Sequence, residues 1–470
     1  MRFVASFVDA LDLQKLGLSA PVEELGAPAY APALLVAAWV YGFMVRIRST
    51  RKLECAAQEN IPLMWLLGRQ RPDHSTLARY FQSHKEGMEA LFRQTVGTAI
   101  KLGLVDFALQ AIDGTRVSVL NKDKTLGRKD LEALQQRTEA AIVRLEEGLR
   151  AEEAESAGEE GRGGLPEELQ DAQRLREKVR AALAEVGERE GARQAHQEGA
   201  LDPETGKPLG PKVHQADPQA VTMLGRRGFV VGYNAQAAVD SKERVIVAAE
   251  VAASATDNGL LLPMLRKVRE TTGRLAATTV VDAGYHSANN LAAAAGEAST
   301  LYVADPALGR KGRDPQGWVY HKDHFQYNPV SDSYVCPEGQ RLGYAYSERR
   351  GAGDKTRVYH CRNCRGCAHW GECTTDRGGR RIRVGAQDEL LKQNRQRLQQ
   401  EEVKRIMKQR GAVVECVFGI LREQLGLTRF LGRGLENARA RWQLLCAAYN
   451  LRKIWRVWWC KTVTPSVVGA

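Results

Sequence analysis

Asp106–Val119 reads DFALQAIDGTRVSV. An apolar run, Phe107, Leu109, Ala111 and Ile112, delivers a single carboxylate, Asp113, followed at once by Gly114. The pattern is that of a buried strand carrying a charge to its rim. A carboxylate there costs free energy unless something positive meets it, and a divalent cation is one such partner. The other reading is an Asp-Gly turn, in which the side chain bonds its own backbone.

Two further stretches bear on that choice. Ala277–Ser287, ATTVVDAGYHS, repeats the design: Thr278, Thr279, Val280 and Val281 lead to Asp282 and a glycine-bearing turn. Two apolar strands that each end in Asp suit a metal-binding sheet edge, since magnesium takes oxygen ligands and only one or two protein carboxylates per ion. In Arg410–Arg422, RGAVVECVFGILR, a helix places Glu415, Phe418, Gly419 and Arg422 on one face. Val414, Val417 and Leu421 form a packing surface beside it. Carboxylates so far apart in sequence converge only through a fold.

IDGTRV, VVDAGYHS and VVECVFGILREQLGLTRFLGRG resemble the three catalytic blocks of DDE transposases from bacterial insertion sequences, of the insertion-sequence-four superfamily. APALLVAAWVYGFMVRIRSTRKLE and RPDHSTLARYF are similar to that family's helical N-terminal domain, GRRGFVVGYNAQAAVD to its second strand, and LLCAAYNLRKI to its closing helix. All of these blocks in this order make a specific signal. The resemblance implies an RNase-H-like core in which Asp113, Asp282 and Glu415 form a triad binding Mg²⁺ or Mn²⁺. It implies double-stranded DNA as partner, both terminal inverted repeats and target, and a homodimeric active complex. Two Mg²⁺ ions roughly 3.5–4 Å apart would clamp an in-line phosphoryl transfer, with water and then a DNA 3′-hydroxyl attacking. Arg422 occupies the place where the family commonly carries Lys, and the two are not interchangeable. Arg410 precedes Glu415 by one position more than the family's usual arginine. Tyr285 matches an aspartate–glycine–tyrosine element, with a base-contacting and a packing role both open. Arg410, Arg422 and Tyr285, with Arg51 and Lys52, are the expected DNA contacts.

Composition agrees with this without requiring it. A chain of 470 residues exceeds one ordinary core, so two or three domains are expected. Apolar content of 43% with 26% charged residues is that of a globular protein, and a net charge of +12 suits a polyanionic partner. Met1–Leu18 lacks the pattern of a signal peptide. Pro32–Val45 is apolar but short of the roughly 20 residues of a membrane span, so it reads as a buried helix. Nine cysteines without a secretory signal argue for thiols or metal rather than disulfides. Cytoplasmic, nucleoid-associated localisation follows as the expectation.

Residues 1–100 read as helical. Ser49–Lys52 and Pro72–Thr76 open helices, and two short helices around Asn60–Pro72, with Arg46, Arg48, Arg51 and Lys52 upstream, suit a helix-turn-helix-like DNA reader or a packing domain with a basic face. His74 reads as turn chemistry. Residues 121–216 form an insertion: Leu131, Leu134, Thr138, Ile142, Leu145 and Leu149 make a coiled-coil-like seam, and Leu175, Val179, Leu183 and Val186 a second helix. A loop is expected over Glu152–Leu165 and a polar return over Gly191–Asp217. The hairpin Phe229–Ala252, a helix opened by Asp257, which reads as an N-cap rather than a metal ligand, a helix over Ala288–Ala298 and a strand over Thr300–Ala304 complete a mixed sheet.

Residues 305–385 carry Cys336, Cys361, Cys364, Cys367 and Cys373, with zinc-ligand spacing in Cys361-x2-Cys364-x2-Cys367. A structural Zn²⁺, reduced thiols and an iron–sulfur cluster are the alternatives. Ten arginines between Arg341 and Arg383 suggest a phosphate-gripping segment or plain solvated surface. Gln387–Gly411 reads as a basic helical stretch, and Trp455, Trp458 and Trp459 as tryptophans packing a last helix on the core, with base stacking the alternative.

The expected fold is therefore α/β, an RNase-H-like mixed sheet flanked by helices. The core takes 104–120, 217–304 and 386–460, beside an all-α domain over 1–100, a helical-hairpin insertion over 121–216 and a Cys/Arg-rich insertion over 305–385. The expected function is metal-dependent DNA cleavage and strand transfer at the ends of an insertion sequence. The alternatives are a stand-alone RNase-H-like nuclease and a DNA-binding protein that has lost the chemistry.

Overall fold

A computed structural model describes residues 1–19, 30–120, 125–155, 166–196, 210–225, 228–308, 317–349 and 355–463. The part of the expected loop at 156–165, the part of the polar return at 197–209, and Arg350 lie outside the described residues, as do the side chains of Trp458 and Trp459.

The chain opens with α1 (Arg2–Asp9), α2 (Pro32–Met44), α3 (Thr50–Glu59), α4 (Ile61–Leu66), α5 (His74–Ser83) and α6 (Lys85–Lys101). Helix α2 is apolar on every side, and Leu35 through Phe43 are all buried, as expected of a helix packed all round. No described helix is long and apolar enough to cross a membrane. Asn60 caps α4 by accepting from the Leu63 N–H, and Asp73 caps α5 by accepting from Thr76. Helices α4 and α5 are the two short helices around Asn60–Pro72. Gly68 and Arg69 take positive φ in succession (56° and 68°), which ends α4. His74 meets Glu54 at 3.0 Å, consistent with a local structural role.

Strand β1 (Leu109–Leu120) follows. After it come β2 (Thr125–Leu126), the long helices α7 (Arg128–Glu155) and α8 (Glu167–His196), and β3 (Val213–His214), which pairs with β2. Arg128–Glu190 and Arg180–Glu139 ion pairs set α7 and α8 antiparallel. Leu131, Ala182, Val186 and Val213 form a small apolar cluster at their base.

The main sheet adds β4 (Val221–Gly225), β5 (Gly228–Asp240), β6 (Ile246–Ala252), β7 (Thr278–Val281) and β8 (Thr300–Val303). Its order is β4-β5-β1-β7-β8, with β6 sharing the outer edge of β5 with β4. Strands β1 and β5 run antiparallel, whereas β1, β7 and β8 are parallel. Helix α9 (Leu261–Thr272) crosses from β6 to β7, and α10 (Ala288–Ala294) from β7 to β8. The α/β class is as expected, and α10 is shorter than its alanines suggested.

A second, antiparallel sheet follows in the order β13-β12-β11-β10-β9: β9 (Gln326–Asn328), β10 (Ser333–Val335), β11 (Arg341–Arg349), β12 (Lys355–His360) and β13 (Arg381–Val384). It has its own apolar cluster around Phe325, Leu342, Tyr359 and Ile382. Arg395, 8% exposed, ties it to the main sheet by bonding Asp323 at 2.7 and 2.9 Å and Asp305 at 3.0 Å.

The basic stretch before Glu415 is two helices, α11 (Asp388–Leu398) and α12 (Glu401–Arg410), followed by a π turn over Gly411–Glu415 and α13 (Cys416–Glu423). The last helix, α14 (Leu435–Val463), buries Trp442, Leu445, Tyr449 and Asn450. One continuous apolar core includes the first six helices, the main sheet and α14. Asn450, fully buried, accepts from Ile246 N and donates to Ile246 O and Thr95 Oγ1. Trp455 is 42% exposed, so it is not the fully packed tryptophan expected.

Candidate active site

Strand β1 does not end at Asp113, as the sequence suggested; it runs seven residues further, to Leu120. The rim is made by β7 instead. Ile112 pairs with Val281 in parallel register, and β7 stops there, so Asp113 and Asp282 are the next residues on neighbouring strands. Nor is Asp113-Gly114 a turn, since both pair with β5, opposite Ala237 and Gln236.

Both carboxylates are fixed by backbone donors. Asp113 Oδ1 accepts from Gly114 N at 2.7 Å, and Asp282 Oδ1 accepts from Gly284 N at 2.8 Å. Burial, and then the charge of Asp282, push the Asp113 carboxyl up to about 6. Asp282 is also raised, by burial first and by Asp257 among its neighbours, while Arg410 and Arg116 oppose the rise.

Glu415, at the end of the π turn before α13, is 60% exposed. Arg410 spans the gap: Nη1 lies 3.2 Å from Asp113 Oδ2 and Nη2 lies 3.3 Å from Glu415 Oε1. The intervening π turn stacks residues five apart. It absorbs the one-residue excess in the Arg410–Glu415 spacing, so Arg410 lies over Glu415 after all. Arg422, seven residues on, donates to Thr115 Oγ1 on β1.

Tyr285 is fully buried and donates its hydroxyl to Gln236 Oε1. Of its two open roles, packing is the one this position allows. Arg51 and Lys52 are exposed on α3. Arg46 and Arg48 donate to the carbonyls of Glu423 and Arg429 at 3.3 and 3.2 Å.

Asp257 was expected to be a helix N-cap. It occupies that position before a 3-10 turn, Asn258–Leu260, but its side chain makes no cap bond. Instead Oδ1 accepts from Asn234 Nδ2 at 2.7 Å and Gln236 Nε2 at 2.8 Å. A signal for this was available: Asn234 and Gln236 alternate as polar residues on an otherwise apolar strand, and both are 1% exposed.

In the second sheet, Cys336, Cys364, Cys367 and Cys373 line one cavity of about 20 Å³ with Tyr320 and His369. Cys361 is buried in the apolar cluster beside Cys364 and Cys336, and burial and then the Cys364 thiol push its own thiol up. Cys336 Sγ accepts from Gln340 N at 3.2 Å and Cys364 Sγ from Arg380 N at 3.4 Å. Several arginines expected to grip phosphate are engaged within the segment: Arg357 with Asp332, Arg383 with Glu348 at 2.7 Å, and Arg380 with the Tyr320 carbonyl at 2.9 Å.

Asp113, Asp282 and Glu415 offer only oxygen donors, the chemistry that Mg²⁺ takes, while Arg410 bridges two of them. Among the described residues, no three His, Cys, Asp or Glu side chains are gathered as a ready metal-holding group.

The family profile described as "Transposase DDE domain" matches residues 335–455, taking in Arg410, Glu415, Arg422 and all five clustered cysteines. The profile described as "Transposase domain (DUF772)" matches residues 1–83, which include Arg51 and Lys52. No curated protein matches the chain. Asp113 and Asp282 fall between the two matched segments, where the sheet alone sets them side by side. A transposase profile thus matches at each end of the chain, and together the two support a DDE transposase of an insertion element.

Proposed function

We propose that this transposase cleaves DNA at the ends of its own element and joins the freed ends to target DNA, using Asp113, Asp282 and Glu415 with a divalent cation. The observation that carries this reading is the adjacent placement of Asp113 and Asp282 at the end of β7, with Glu415 brought over them through Arg410. The antiparallel β6-β5-β1 edge continued by parallel β7 and β8 supports an RNase-H-like core.

Asp113 and Asp282, with Glu415 turned inward from its exposed position, would hold Mg²⁺ or Mn²⁺. When bound, the cation supplies charge neutralisation and polarisation of the phosphoryl oxygens. The backbone donors at Gly114 and Gly284 keep the two aspartates oriented. Arg410, released from the carboxylates, and Arg422 steady the phosphate charge that develops in the transfer. Water is the attacking group for cleavage and a DNA 3′-hydroxyl for joining. Arg51 and Lys52 on α3 contact the duplex backbone. The active complex is a homodimer that works on DNA at the nucleoid.

A structural zinc belongs to the same proposal in narrower form, on Cys336, Cys364, Cys367 and Cys373. N–H···S bonds already orient two of these thiols; metal analysis of purified protein should find one zinc per chain.

The test is strand cleavage and joining on the element's own end DNA with Mg²⁺ or Mn²⁺, comparing wild type with Asp113→Ala, Asp282→Ala and Glu415→Ala. Loss of activity in all three with DNA binding retained is expected. Full activity in any one overturns the triad, and a wild type that binds without cutting favours a DNA-binding protein without chemistry.

A further inference from the structure

Gly114 and Gly284 each stand beside one of the paired aspartates, and neither adopts a positive φ. Their lack of a side chain serves space. A Cβ at 114 would lie 2.7 Å from Asp257 Oδ1 and 2.2 Å from Gln236 Nε2. At 284 it would lie 3.0 Å from both Asp257 Oδ2 and Asp282 Oδ1. Both glycines thus clear the approach of the same third carboxylate. That carboxylate is anchored through one oxygen only: Oδ1 takes the two buried amides of Asn234 and Gln236. Oδ2, on the side of Asp282, has no protein donor among the described residues. Behind it, Tyr285 fixes Gln236 and Asn290 fixes the Tyr285 carbonyl at 2.7 Å, so the support is built in depth.

A carboxylate that merely joined β6 to α9 would need neither glycine and would be placed to cap the following turn. We propose that Asp257 is a fourth carboxylate of the site, its Oδ1 held by Asn234 and Gln236 so that Oδ2 is presented beside Asp282 as a further oxygen donor to the divalent cation. The inference rests on the metal-dependent reading above. It adds a requirement that the three expected residues do not contain: cation affinity depends on Asp257 and on the amide pair that aims it.

Asp257→Asn is the decisive variant. Its amide oxygen keeps both hydrogen bonds to Asn234 and Gln236, while the atom facing Asp282 becomes a neutral donor. The readout is Mn²⁺ binding to the full-length, DNA-free protein, followed by electron paramagnetic resonance of the free ion. Affinity is expected to fall at least about ten-fold, the scale on which changes around a metal site act, with circular dichroism and melting unchanged without metal. Asp257→Glu keeps the charge and is expected to restore part of the affinity; it also serves if the Asn variant folds poorly. Mn²⁺ binding by Asp257→Asn within two-fold of wild type overturns the inference, as does a wild type that binds no Mn²⁺. Strand cleavage by wild type separates the two levels. If Mn²⁺ binding depends on Asp257 but no DNA is cut, the DNA chemistry falls and this inference stands. If wild type cuts through Asp113 while Asp257→Asn binds and cuts normally, this inference alone falls.

Discussion

Asp113→Asn is expected to make the metal-free protein more stable while abolishing its activity. Burial and the charge of Asp282 hold the Asp113 carboxyl at about 6, above the roughly 3.9 of an unfolded chain. Between those values the folded chain keeps a proton that the unfolded chain has lost. The Asp113 contribution therefore opposes folding increasingly as pH rises from about 4 to about 6, and stays unfavourable above. The gap corresponds to about 3 kcal/mol. That gap already includes the opposing pull of Arg410. Arg410 keeps Glu415 as partner, so a net gain of about 3 kcal/mol is expected above pH 7. The assay is urea unfolding of both proteins in EDTA from pH 4 to 8, followed by tryptophan fluorescence. The variant should match wild type near pH 4 and pull ahead as pH rises. Added Mg²⁺ should stabilise wild type and not the variant, since only a state that binds the ion gains from it. A variant less stable than wild type at pH 7.5 in EDTA, or a difference independent of pH, would refute the reasoning.

Three further outcomes follow from the same geometry. Gly114→Ala should cut strand cleavage about 100-fold or more while DNA binding persists, because its Cβ displaces Gln236 and Asp257 and small misplacements in a site are costly; cleavage and filter-binding assays in parallel check this. Arg395→Met should destabilise the fold by about 3–5 kcal/mol, because it takes from Asp305 and Asp323 the guanidinium they share and leaves Asp305 only His286 at 3.1 Å. Chemical denaturation measures that loss. Replacing Arg51 and Lys52 together by Ala should lower the slope of log K against log salt for DNA binding by about 2, one per phosphate contact, with Mn²⁺ binding unchanged.

Local patterns carried much of the architecture. The apolar residues before Asp113 and Asp282 had to be strands because β-branched and alternating runs bury a pleated surface, and both are. Asp73 announced α5 because a side-chain acceptor ahead of a periodic run satisfies a free N–H group. The seam from Leu131 to Ile142 announced α7 in the same way. Other features had no local cause. Asp113 lies at a rim because β7 stops beside it, a property of the neighbouring strand. Asp257 reads locally as a cap, and only the register of β5, which brings Asn234 and Gln236 beneath it, turns its side chain toward Asp282. The Arg410–Glu415 spacing looked one residue too long until a π turn took up the excess. Tyr285 looked available for contact until the same network buried it. Sequence by itself determined the elements and the residue types of the site, since backbone propensity and burial act over a few residues. Tertiary structure alone decided which charges meet, because electrostatic contacts depend on distances between segments that the chain leaves about 300 positions apart.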